Sequence, residues 1–286
     1  MHFSQIASGG SLIRDTETEQ TISFFANDII SAAGLVKAAT KIQILLDPEI
    51  NAFVSAGQRI TITTGLIQAT ETPGQLMAVI AHEVAHIAGG HLARLKNALN
   101  RANRTAQVSK FLGVALGAIS GQTNLANAFG VGGSHVAKRT LLKFSRTQEQ
   151  SADLAATRYL DMVKVSSRGM LQFLKKLENQ SLLVQANTVP YQDTHPQTKD
   201  RISFVENHLQ QSNYRGQTAS PGAMLLHAKL VAKIFAFTNP PSITLAKYSG
   251  SSELVPVKYA RAIAFFKKGE VIKSLNLVKG LIKDEP

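Results

Sequence analysis

From Glu17 to Ala39 apolar residues return at helical spacing, with Ile22, Phe25, Ile29 and Ile30 along one side. The pattern predicts an amphipathic helix packed on a larger core. The period then changes. The run KIQILLD (41–47) is rich in β-branched residues, QRITITTGL (58–66) follows, and Arg59 to Thr63 alternates polar with apolar, so a small sheet is expected. Thr72-Pro73-Gly74-Gln75 supplies a capping hydroxyl, a proline at the first helical position and a glutamine at the third. The helix begun there is expected to run through QLMAVIAHEVAHIAGGHLARL to Leu95. Ser145-Arg146-Thr147-Gln148 repeats the cap pattern, so a second strong helix is expected to begin close to Glu149.

Residues 187–196 read as a loop and 201–210 as a helix, and SNYRGQTASPG (212–222) has linker composition. Beyond it helices are expected over 223–237 and from Val255 to the end, with NPPSITLAKYSGSS between them. In the last stretch Ala262, Phe265, Gly269 and Pro286 fall in tetratricopeptide register, with Ser274 where that pattern prefers alanine. A lone helical hairpin buries too little to stand alone, so it must pack on another surface. The reading is an α+β unit over 1–216 followed by an all-α, tetratricopeptide-like tail over 217–286.

Composition agrees with a folded chain: 286 residues allow one good-sized core plus a smaller unit, and 44% hydrophobic against 17% charged excludes wholesale disorder. The absence of cysteine excludes disulfides and thiolate chemistry, leaving imidazole and carboxylate for a transition metal. The first residues lack the pattern of a signal peptide. The apolar stretch 111–133 is broken by Gln122, Thr123, Asn124 and Asn127, and is not expected to span a bilayer. The formal net charge is +12, and no acid lies between Glu83 and Glu149, where nine lysines and arginines from Arg94 to Arg146 fall. This basic arm is read either as a solvated face or as a docking surface for an anionic membrane or partner. No recognition motif or aromatic platform accompanies it, so nucleic acid is not an expected partner.

The chemistry is carried by His82-Glu83-Val84-Ala85-His86, an HExxH pattern on a helix. Four residues apart at about 100° each, the imidazoles lie about 40° apart on one face and reach a single metal. Glu83, beside the first ligand, is placed to take a proton from water activated by Zn2+. On a continuing helix His91 lies about 180° from His82 and faces away. Leu92 stands where the long metzincin pattern requires histidine. Glu149 and Asp153 are four apart near the start of another helix, so both carboxylates share one face. One can ligate and the other orient, and Asp153 suits the orienting role. His2, His135, His208 and His227 have no partners in spacing.

AHEVAHIAGGH and SRTQEQSAD, preceded by NAFVSAGQRITITTGLI and followed by THPQTKDRI, resemble the BepA-type metalloproteases, relatives of HtpX and Ste24, from about Ser11 to the end. The resemblance implies a zincin-like fold, with Glu149 as third zinc ligand beside His82 and His86, and Asp153 behind the ligands. It also implies that His195 lies close to zinc as a mobile fourth ligand, with Arg201 stabilising charge nearby. Asn51 and Phe53 match the family's strand entry, and the strand after it is expected to pair with substrate backbone. Two departures are visible: the helical tail is shorter than the family's, and Gln58 replaces the second glycine of its Gly-Gly turn. The expected function is a periplasmic zinc endopeptidase acting on unfolded or misassembled envelope proteins, linked to outer-membrane assembly machinery. The alternative is a chaperone-like scaffold with a latent, gated zinc site.

Overall fold

The computed structural model of the chain describes residues 11–95, 97, 98, 100, 146–183, 195, 199–249 and 253–284. Strand β1 (Leu12–Ile13) leads into helix α1 (Thr16–Ala32), followed by β2 (Lys41–Leu45), β3 (Ala52–Ser55) and β4 (Arg59–Thr63). The chain then turns into α2 (Thr64–Ala69) and α3 (Pro73–Ala88). Helix α4 covers 146–162. It is followed by α5 (Arg168–Leu183), α6 (Lys199–Gln211), α7 (Pro221–Thr238), α8 (Pro241–Lys247), α9 (Val255–Lys267) and α10 (Val271–Asp284). The α+β class with a helical tail is the one expected. Among the described residues no helix is long and apolar enough to cross a membrane. The 111–133 stretch and most of the basic arm lie outside them.

The four strands form one sheet in the order β1-β2-β4-β3, with β2 and β4 parallel and the other pairs antiparallel. β3 therefore lies at an edge. It is set against β4 with Ala52 opposite Ile62 and Ser55 opposite Arg59. The turn between them holds Gly57 at φ 81° and Gln58 at φ 54°, so the glutamine occupies a left-handed conformation that costs it roughly 1–2 kcal/mol relative to glycine. The Thr63 hydroxyl accepts from Asn51 N at 3.0 Å and from Leu66 N at 3.2 Å, fixing the entry to β3 and capping α2 together. That cap is why Thr64 to Leu66 turn into a helix instead of extending the strand.

Ile22, Phe25 and Ile29 of α1 bury against Ile44, Ile60 and Ile62 of the sheet and Leu76, Ile80 and Val84 of α3. Helices α3 and α5 meet backbone to backbone near their starts, where a Cβ on Gly169 would lie 2.3 Å from Gly74. α1 stops at Ala32, short of the expected Ala39, because Gly34 turns the chain at φ 71°. The expected helix from Val255 to the end is divided at Gly269, φ 82°, into α9 and α10, and α8 forms within the segment read as a connection.

α7 joins two cores. Leu230 and Ile234 belong to the large cluster, whereas Ala232 and Ala236 pack with Ala260 and Ile263 of α9. Lys233 on the same helix bonds Asp15 at 2.7 Å and Glu17 at 2.8 Å, and the Tyr259 hydroxyl donates to Glu17 at 2.6 Å. Ser274, the departure from the repeat pattern, donates to the Ala262 carbonyl across the α9–α10 pair at 2.8 Å. Pro286 lies outside the described residues.

Candidate metal centre

Helix α3 starts as the sequence predicts: the Thr72 side chain accepts from Gln75 N, with Pro73 in the first turn. The Gln75 side chain reaches back to Glu71 N at 2.9 Å. Its central turns are buried on every side, and His82 and Glu83 are 2% and 0% exposed. Burial of such groups is costly unless each polar atom finds a partner, so their partners define the site.

α4 supplies most of them. Its buried positions form a stripe, 148 and 149, 152 and 153, 156 and 157, then 160. Ala152, Ala156 and Leu160 fill it with apolar surface while Gln148, Glu149 and Asp153 bring polar atoms into the core. Glu149 Oε2 lies 3.2 Å from His82 Nε2 and Glu149 Oε1 3.3 Å from His86 Nε2. His82 Nδ1 lies 3.0 Å from Asp153 Oδ1, close enough to hydrogen bond though off the straight direction. Arg201, at the start of α6 and 2% exposed, grips Asp153 with two nitrogens at 2.6 and 2.8 Å and reaches Glu149 Oε2 at 2.9 Å.

His195 completes the group. Its Nδ1 lies 3.2 Å from both His82 Nε2 and Glu149 Oε1, while its Nε2 lies 3.3 Å from the Ala52 carbonyl on edge strand β3. The same Nε2 is 3.3 Å from Glu83 Oε1. Among the described residues neither carboxylate oxygen of Glu83 makes a hydrogen bond, so the His195 approach is an ionic contact only.

One atom from each of His82, His86, Glu149 and His195 falls within 4.8 Å of the others. The outer nitrogens of His82 and His195 face acceptors, Asp153 and the Ala52 carbonyl, so their protons belong there. With each ring neutral the inner nitrogens are then bare lone pairs, aimed at each other and at a carboxylate. A cation satisfies an all-acceptor pocket of this kind, and a set of imidazoles and one carboxylate is a zinc-type donor set. The residues fit a divalent metal.

The electrostatics report the same excess of negative charge. Burial disfavours protonated His82, but the Asp153 and Glu149 carboxylates outweigh it and push the ring up to about 9. His86 is driven down to about 3 by burial. Burial also opposes the charged forms of Glu149 and Asp153, yet His195 and His82 hold the first well below the carboxylate range, and Arg201 and His82 hold the second down. Glu83 is raised by burial.

The structure corrects the reading of His91. α3 ends at Ala88, Gly90 takes φ 61°, and a new helical segment starts at 91. His91 therefore folds back, 3% exposed, with its Nδ1 3.1 Å from His86 Nδ1. The Gly89-Gly90 pair was the available signal for this break. Gln148, which sequence reasoning used only as a cap, donates to the His91 carbonyl at 2.9 Å. His208 and His227 lie elsewhere, facing Asp161 at 3.1 Å and Thr70 at 2.9 Å. His2 and His135 fall outside the described residues.

The sequence profile of peptidase family M48 matches residues 16–209. The chain is 24% identical over 285 residues, 99% of its length, to a beta-barrel assembly-enhancing protease of Yersinia pestis. It is 26% identical over 208 residues, 72% of its length, to the protein of that name in Escherichia coli K12. A mitochondrial metalloendopeptidase OMA1 of Schizosaccharomyces pombe is 28% identical over 193 residues, 67% of the chain. The chain spans 58%, 42% and 53% of these relatives' own lengths.

Proposed function

The chain belongs to peptidase family M48, and from that premise we propose that it is a zinc endopeptidase with His82, His86 and Glu149 as ligands and Glu83 as general base. The observation that carries this reading is the all-acceptor pocket beside a buried glutamate that makes no hydrogen bond among the described residues. When bound, zinc supplies Lewis acidity that lowers the pKa of water to about 7. Glu83, raised by burial, accepts the proton of the attacking water and returns it to the leaving amide nitrogen. Asp153 fixes the tautomer of His82 so that Nε2 stays free to ligate. Arg201 partly neutralises the two carboxylates that would otherwise repel each other.

Among the described residues β3 is an edge strand of the sheet, where an extended substrate adds as a further strand and is held without regard to its side chains. His195 sits on the carbonyl of Ala52 in that strand and beside Glu83. It therefore occupies the fourth metal position and part of the substrate path, and acts as a gate that must move aside.

Residues 1–216 form the protease unit and 217–286 a tetratricopeptide-like tail. The relatives named for beta-barrel assembly support unfolded outer-membrane proteins as substrates, the periplasm as location and assembly machinery as partner. Incubating zinc-loaded wild type and Glu83→Gln with an unfolded envelope protein tests the reading. Wild type or a gate-opened His195→Ala cleaves, and Glu83→Gln keeps zinc without cleaving. Cleavage at full rate in Glu83→Gln refutes the mechanism, and no cleavage in any variant favours a chaperone-like binder with a latent site.

A further inference from the structure

Each imidazole at the centre has an inner and an outer nitrogen, and the outer ones are held differently. His82 faces a carboxylate and His195 a backbone carbonyl, both acceptors whatever their surroundings. His86 instead faces Nδ1 of another imidazole, His91, at 3.1 Å. Two features of the chain bring that ring into place. Gly90 at φ 61° reverses the backbone after α3, and Gly89 lacks the Cβ that would lie 2.4 Å from His91 Nε2. Gln148 then holds the His91 carbonyl from the residue next to Glu149, so the start of α4 that brings a ligand also locks this support.

Resting on the metal-centre reading, we propose that His91 is a positioning residue for the metal: its Nδ1 accepts the Nδ1–H of His86, fixing the tautomer and direction of that ligand. The arrangement has a defined proton pattern. His86 can offer a bare Nε2 inward only if its proton sits on Nδ1. His91 must then carry its own proton on Nε2 and stay neutral. Unlike the Asp153 carboxylate behind His82, it orients the ligand without adding negative charge. The two ligand histidines are thus held by partners of different charge, which limits the number of buried carboxylates that the centre must accommodate.

The test is zinc affinity of the whole purified chain, measured by competition with a chelator of known strength, with the melting temperature of the metal-free protein as control. Removing an outer hydrogen-bond partner of a ligand typically weakens metal binding about 10–100-fold, and that is the loss expected for His91→Phe, which keeps a ring but no acceptor. His91→Asn, whose amide oxygen takes the place of Nδ1, is expected to retain most of the wild-type affinity. Gly89→Ala, whose new methyl group displaces the His91 ring, asks the same question should His91→Phe not fold, and a loss of affinity is expected there too. Unchanged affinity in the folded variant overturns the proposal, as does an Asn variant as weak as Phe, which would assign the ring to packing. Wild type that takes up no zinc overturns the metal-centre reading itself, and is told apart from failure of the His91 role by that first measurement.

Discussion

Replacing Arg201 with methionine removes the charge while keeping a side chain of similar bulk, so the loss reports electrostatics more than a cavity. Arg201 is 2% exposed and makes three contacts of 2.6, 2.8 and 2.9 Å to Asp153 and Glu149. Taking one partner out of a buried ion pair leaves uncompensated charge and costs about 3–5 kcal/mol. At about 2–4 °C per kcal/mol for a domain somewhat smaller than this chain, melting of the metal-free protein should fall by about 6–20 °C. The sign of the pH dependence follows. Glu149 and Asp153 have folded values below their ordinary 4.5 and 3.8. Their contribution is therefore present above those ordinary values and is lost as pH falls through the folded ones, so the deficit of the variant should shrink on acidification. Lysine should not restore stability, because an ammonium cannot form the paired contact with Asp153. The double variant Arg201→Met, Asp153→Asn should recover part of the loss, since it removes both charges. A single variant that melts within about 2 °C of wild type, below the shift expected from 1 kcal/mol, would refute the reasoning.

Zinc uptake at pH 7 should release about one proton, because His82 at about 9 is protonated beforehand and His86 at about 3 is not. Calorimetry in buffers of different ionisation enthalpy reads that number, and release of none refutes it. The same shift predicts that the metal-free protein loses a stabilising contribution from His82, fully present below pH 6.5, as pH rises through about 9; a flat melting temperature from pH 7 to 10 counts against it. His195→Ala should retain zinc, since three proposed ligands remain, and cleave an unfolded substrate at least as fast as wild type, whereas a large drop assigns His195 to transition-state stabilisation. If the basic arm docks on anionic lipid, co-sedimentation with anionic vesicles should fall steeply as salt rises, and no binding at low salt leaves the solvated-face reading.

Much of the centre was legible because its residues sit on long helices, α3 capped by Thr72 as expected, while the expected cap of α4 at Ser145 lies outside the described residues. A four-residue spacing on α3 fixes the relation of His82 to His86 whatever surrounds them. The spacing of Glu149 and Asp153 on α4 likewise fixes a shared face, though spacing alone cannot say which carboxylate points at His82 Nε2 and which at Nδ1. The misplacement of His91 has a single cause. Counting 100° per residue holds only while the helix continues, and two glycines ended it after Ala88. His195 and Arg201 were reached through resemblance because a loop residue and a helix start, 46 and 52 positions beyond Glu149, carry no periodic signal for α4. Gln58 was visible as a substitution, but its left-handed backbone was not, since that depends on the register of β3 on β4.

Charge balance explains why these choices belong together. Among the described residues around the centre Glu83, Glu149 and Asp153 face one guanidinium, Arg201, so with neutral histidines this buried group carries two uncompensated negative charges. Such a deficit is expensive in a site excluded from water. Without a cation the protein offsets part of it with a proton, which is why His82 rises to about 9 despite complete burial. A divalent ion removes the whole deficit and returns His82 to the neutral form that ligates. Magnesium and calcium prefer oxygen donors, whereas two or three imidazoles with one carboxylate suit zinc. Charge selects a divalent ion, and the nitrogens select within that class. A neutral His91 behind His86 fits the same balance, since a carboxylate there would leave a third negative charge that no divalent cation could cancel.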